Sequence, residues 1–296
     1  MFPGCERYLR SWYESLAAQT DSDFQLWVGL DELSAEAAIS AMGGDPGAFW
    51  VQGKEGDTPA QIRQRALEQI VLRHDGVVLV DSDDVLHPTR VAAARRYLEK
   101  SQLVGCALRL VDERGEPRGG FLALPPAASC EDVLPRGNVF GLSNSAYSTE
   151  LLRECLPIPP SVSLVDWWLA TRAWLLGASM VFDNEVGMDY RQHGANMVKL
   201  KPPYTPQQIE SDTERVLRHY GSLLASLPEH SLPERVASLN RAADDTERFY
   251  RRVVLAPSLL AEYVDSLNAL AVEPIWWSWV ACPSLRGMWG SGKEKA

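Results

Sequence analysis

GVVLVDSDD, residues 76–84, is a short β-branched run that stops abruptly in acid. Val77 to Val80 are too few for a helix, and such a run suits a strand covered on both faces. Before it, Ile62, Ala66 and Ile70 fall on one helical face, with Pro59 placed for a first turn. After it, Pro88 opens a second helix through RVAAARRYLEK. A helix, a strand ending in carboxylates and another helix predict an α/β layer. Ligands of such sheets bind beyond the carboxyl ends of the strands.

Working outward, Cys5, Tyr8, Leu9, Trp12 and Leu16 recur at helical spacing. In FQLWVGL, Phe24, Leu26, Val28 and Leu30 alternate with other residues, which predicts a strand ending at Asp31. FWVQG, CALRLV, ASMVFD and VGMDYRQHG are further strand candidates, while the segments 144–155 and 165–176 read as helices. Strands alternating with helices predict a mostly parallel sheet flanked by helices over residues 1–203. Past Pro203 the chain becomes charged and helical in pattern, a C-terminal helical extension over 204–296. Its last residues, GSGKEKA, are expected to be mobile.

The balance of 29 basic against 39 acidic residues gives −10, and no basic block compensates. A nucleic-acid partner is therefore not expected, whereas a divalent cation is not repelled. The five cysteines are scattered with no C-x-x-C pair, so neither a zinc knuckle nor a disulfide framework is signalled. MFPGCERYLR lacks the apolar core of a signal peptide, and PIWWSWVACP is too short to cross a bilayer. The expectation is a soluble, cytoplasmic protein, with peripheral contact at the inner face of a membrane left open.

Asp81, Asp83 and Asp84 repel one another unless a cation or a basic side chain relieves them. Oxygen ligands suit hard cations, and Mg²⁺ or Mn²⁺ commonly takes one or two carboxylates plus phosphate oxygens. The alternative is that these aspartates cap the Pro88 helix and face water. Asp31, ending another strand, places a second acid beside the same crevice.

VVLVDSDDVLHPTRV resembles the D-x-D segment of family-two glycosyltransferases, which have the GT-A fold. Other stretches agree in order: SWYESLAAQTDSDFQLWVGLDELS, TPAQIRQRAL, GNVFGLSNSAYSTELL, VDWWLATRAWLLGA and YRQHGANM, together spanning roughly residues 5–200. The resemblance implies a metal-dependent inverting enzyme moving a sugar from a nucleoside-diphosphate donor to a saccharide or lipid-linked acceptor. It implies that Asp31 and Asp81 hold the nucleoside and that Asp83 and Asp84 hold the metal, with His193 near it. It further implies that Arg65, or Arg63, offsets diphosphate charge and that Asp166 is the general base.

Asp166 also suits an N-cap, His193 a structural hydrogen bond, and Trp167 and Trp168 a core rather than a sugar platform. The sequence departs from the family's pattern in three places. A first strand ending in a Pro-x-x-Asn-like turn is not seen before the first helix, Val165 stands where Glu is common, and Val198 stands where Ser is common. A GT-A-like binding or scaffold protein is therefore the rival reading. A nucleotidyltransferase is a second rival, although no early Gly-rich phosphate loop is visible. Trp276, Trp277 and Trp279 would form either a docking patch for a partner or membrane, or part of the core.

Overall fold

The computed structural model describes residues 1–194, 200, 202–270 and 275–290. Val198 and most of the GSGKEKA tail lie outside the described residues. The chain begins with α1 (Glu6–Ala17), β1 (Trp27–Leu30), α2 (Ala35–Met42), β2 (Phe49–Gln52) and α3 (Pro59–Ile70). The Thr58 side chain caps α3 reciprocally with Gln61, and Pro59 sits in its first turn. Next come β3 (Gly76–Val78), β4 (Val85–Leu86), α4 (Arg90–Leu98), β5 (Leu103–Val111) and β6 (Pro117–Leu122). They are followed by α5 (Cys130–Val133), β7 (Ser145–Ser148), α6 (Thr149–Cys155), α7 (Val165–Leu175) and β8 (Met180–Arg191). The extension folds as α8 (Pro206–Ala225), α9 (Pro233–Phe249), α10 (Pro257–Ala269) and the short α11 (Arg286–Trp289).

The α/β sheet flanked by helices stands as read, but its strands are mixed in direction. The central sheet runs β3-β7-β5-β8-β4, with β6 on β5. Within it only β5 and β8 are parallel. Two sequence expectations explain the difference. Residues 144–155 were expected to be all helix, yet Ser145–Ser148 form a strand antiparallel to both β3 and β5. The two strands expected in 178–194 are one, β8, which keeps its pairing with β5 across bulges.

β1 and β2 form a separate parallel pair. Among the described residues no strand joins β1 to β3. Met1 is bonded to β1 on both sides of Leu30. Its amino group donates to the Gly29 carbonyl (2.5 Å), and its carbonyl accepts from the Asp31 N–H (2.8 Å). Consequently Val77 to Val80 are only half-buried, although their composition suits full burial. Their free edge opens on a cavity of about 1170 Å³ that runs between Val28, Ile62 and Val78 to the acidic strand ends.

One hydrophobic core links α1 to the C-terminal residues, from Leu9 to Trp289. Trp276, Trp277 and Trp279 are buried in it, so they form no exposed patch. Trp167 and Trp168 are likewise core. All five cysteines are free and buried. Among the described residues no helix is long and apolar enough to cross a membrane.

Candidate active site

The acids after β3 point in opposite directions. Asp84 faces inward, 1% exposed, and both of its oxygens are engaged. Oδ2 accepts from Ser143 Oγ (2.5 Å) and Oδ1 from the Arg191 N–H (2.9 Å). Ser143 Oγ in turn accepts from the Asp81 N–H (2.9 Å), so one hydroxyl ties the loop together. Burial, with the charges of Asp83 and Asp81 adding, pushes the Asp84 carboxyl well above the usual carboxylate range. The resemblance implied that Asp84 holds a metal; in the structure both of its oxygens are engaged and it does not line the cavity. The turn that brings Asp83 to the cavity directs its neighbour to the Arg191 N–H.

Asp83 does line the cavity, and its Oδ2 lies 2.9 Å from His193 Nε2. Burial raises its pKa, the charge of Asp81 adds to this, and the histidine opposes it. The His193 ring is stacked on Tyr8 at 5.1 Å, which fixes its plane. Arg191, from the end of β8, donates Nε to the Asp83 carbonyl (2.7 Å), and its guanidinium lies over the Tyr8 ring, 4.9 Å from the centroid. The sequence gave Tyr8 only a place in the apolar stripe of α1 and gave Arg191 no site role.

Asp81 is paired with Arg63, Nη2 to Oδ1 at 3.0 Å, and both line the cavity. Arg65 does not. It is paired with Asp57 (2.7 Å) and donates to the Gln52 carbonyl (3.2 Å), away from the other site residues. The cation facing the cavity from α3 is thus Arg63. Asp31 also lines the cavity, at the end of β1.

Asp166 reaches the same cavity from the first turn of α7. It does not act as the N-cap, which is Leu164, without a side-chain cap. Its Oδ2 accepts from Asn138 Nδ2 (3.0 Å). Burial is the main cause holding its pKa up at about 6; the negative charge of Asp81 adds, while the Trp167 N–H and Arg63 oppose. A carboxyl of that kind is ionised near neutrality yet basic enough to take a proton.

The two bonds of Asp84 predict a measurable split between stability and binding. Asp84→Ala leaves Ser143 Oγ and the Arg191 N–H without their acceptor. The expected loss is about 2–6 kcal/mol, since each of the two unmet buried groups costs roughly 1–3. Asp84→Asn keeps an acceptor for Arg191 and should cost less. Urea unfolding of the two variants measures both.

No protein-family model and no curated protein matches the chain. Solved structures do. One is TarS 1–349 from S. aureus in complex with UDP, with TM-score 0.53 and 16% identity over 89% of this chain and 85% of that one. The same protein in complex with UDP-GlcNAc gives 0.54 and 16% over 88% of each. The third is the mannosyltransferase PcManGT from Pyrobaculum calidifontis in complex with GDP-Man and Mn²⁺. It gives 0.57 and 13% over 92% of this chain and 74% of that one. This chain has their fold. At such identities the likeness extends to the arrangement of sheet and helices, and the chemistry must come from the residues described above.

Proposed function

We propose that the chain is a metal-dependent, inverting glycosyltransferase of the GT-A kind, using a nucleoside-diphosphate sugar. The observation that carries this reading is the convergence of two different carboxylates on one cavity. Asp83 with His193 stands at one part of it, and Asp166, raised to about 6, stands at another. The neighbours solved with UDP, UDP-GlcNAc or GDP-Man support a donor of that class.

The residues fit a divalent ion in one specific way. Among the described residues no group of three His, Cys, Asp or Glu side chains converges as a metal cage. Asp83 and His193 supply two donors, and burial beside Asp81 makes the Asp83 charge unfavourable, a cost that a cation would relieve. Mg²⁺ and Mn²⁺ are often held so, with phosphate oxygens completing the shell. The ion would neutralise charge developing on the leaving diphosphate. The complex of PcManGT with Mn²⁺ agrees with this choice of metal.

The remaining chemistry belongs to the chain. Arg63 lies beside the diphosphate position and offsets its charge, while Asp31 and Asp81 orient the nucleoside. Asp166 accepts the proton of the acceptor hydroxyl as its oxygen attacks the anomeric carbon. The bond to the nucleoside diphosphate breaks and the diphosphate leaves with the electron pair. One base and no enzymic nucleophile give inversion. The acceptor is a saccharide or lipid-linked hydroxyl, as in surface polysaccharide or glycoconjugate synthesis.

The test is a screen of nucleoside-diphosphate sugars with and without Mn²⁺, scoring binding by calorimetry and nucleoside-diphosphate release. In the donor that binds, Arg63→Gln is expected to weaken affinity about tenfold, roughly 1.4 kcal/mol, and Arg65→Gln to leave it unchanged. The rival reading is a GT-A-like binding or scaffold protein. Absence of metal-dependent donor binding across the screen would decide for it.

A further inference from the structure

The loop 134–143 brings Gly141, Leu142 and Ser143 to the wall of the cavity that Asp166 also lines, and the C-terminal extension holds that loop in place. Tyr220 of α8 donates its hydroxyl to the Pro135 carbonyl (2.7 Å). Asp245 of α9 pairs with Arg136 (2.5 Å). The Asn138 N–H donates to the Trp276 carbonyl (3.0 Å), an isolated bridge between loop and C-terminal segment. The segment itself is closely determined. Trp277 has a left-handed backbone, φ +70°, and its ring lies parallel to Trp167, the neighbour of Asp166, at 6.1 Å.

Asn138 is fully buried and its amide has only one orientation. Oδ1 accepts from the Phe140 N–H (2.9 Å), which obliges Nδ2 to face the Phe140 carbonyl (3.0 Å) and Asp166 Oδ2 (3.0 Å). An amide fixed in this way holds one carboxylate oxygen and thereby turns the other toward the cavity. We propose that Asn138 is the positioning residue of the general base, and that the C-terminal segment at Trp276 sets it there. The inference rests on the reading of Asp166 as that base. The extension is then part of the catalytic arrangement, though it supplies no reacting group.

Two consequences separate this role from simple packing. The Asn138 side chain is bonded to Phe140 and Asp166, not to the Asp83–His193 pair or the Arg63–Asp81 pair, so its loss should act on kcat and not on donor KM. Donation of an N–H favours the ionised carboxylate, so its loss should raise the pH needed for activity. The other groups facing Asp166 are Asp81 from the loop after β3, Arg63 from α3, Tyr147 from β7 and the Trp167 N–H. None of these is altered by the change.

The experiment uses the full chain, with Mn²⁺ and the donor and acceptor that turn over. Asn138→Ala is expected to lower kcat roughly 10–100-fold, the scale of a misplaced reacting group, with donor KM within about twofold. The acid limb of its kcat–pH profile should move upward. Gly137→Ala provides a second route: its Cβ would meet the Trp276 carbonyl at 2.9 Å and displace the C-terminal segment without altering Asn138. It should change kcat and the acid limb in the same directions by less, and it decides the matter if Asn138→Ala fails to fold. Unchanged kcat and pH profile in a folded variant overturn the inference. A wild-type chain that binds no donor by calorimetry overturns the reading of the site and this inference with it, and that is known before any variant is made.

Discussion

Asp166→Asn is expected to reduce kcat by about 10²–10⁴-fold, the range for loss of a general base. Donor affinity should stay within about twofold, because Asn preserves the shape and Asp166 belongs to the other part of the cavity. In the wild type, kcat should rise with pH through about 6, where Asp166 loses its proton. The variant should lose that limb. Stability is expected to move the other way. The folded-state pKa lies above the usual value of 3.8, so the stability Asp166 contributes is present below about 3.8 and lost as pH rises through about 6. At pH 7 the ionised carboxylate is therefore a burden of at most about 3 kcal/mol, from roughly two pK units. Asn removes it. A thermal midpoint that rises by a few degrees at pH 7, and not at pH 4, while kcat collapses, is the expected signature. A variant that keeps wild-type kcat would remove Asp166 from the chemistry.

What the sequence made legible, and what it did not, follows from the range of the interactions. Strand ends are local events, so the placing of Asp31 and Asp81–Asp84 beyond β-branched or alternating runs needed only neighbouring residues. Which of two neighbours faces the cavity is decided by one turn of backbone, and GVVLVDSDD carries no sign that Asp84 turns inward to Ser143 and Arg191. Arg63 and Arg65 are a more instructive case. At about 100° per residue they stand roughly 200° apart, so only one can face the cavity. The stripe Ile62, Ala66 and Ile70 lies nearer Arg63, and a helical wheel was therefore enough to prefer it. Asn138 had no such signal, since its role depends on Trp276, far away in the chain and held in contact by α8 and α9. For Trp276, Trp277 and Trp279 the sequence offered both an exposed patch and a core, because the two have the same composition, and the structure decides for the core. Strand direction failed for the reason that Ser145–Ser148 is too short to show a period of its own and was absorbed into the helix that follows it.

The second large effect is expected at Asp83. Asp83→Ala should weaken Mn²⁺-dependent donor binding by about 100-fold or more, some 2.7 kcal/mol, and abolish the difference between titrations with and without the metal. Calorimetry of the donor under both conditions measures it. The reasoning combines geometry and charge. Asp83 is the carboxylate of the loop that faces the cavity beside His193, and Asp84 is spent on Ser143 and Arg191. Removing Asp83 also relieves repulsion with Asp81, so its unfolding midpoint in urea, without metal, should not fall. Asp84→Ala should show the reverse order, a large loss of stability, with donor affinity measured below the unfolding range close to wild type. Two adjacent aspartates would then separate cleanly, one by binding and the other by folding. If Asp83→Ala instead binds donor with undiminished metal dependence, the ion is held by other groups, and the pairing of Asp83 with His193 is a structural contact.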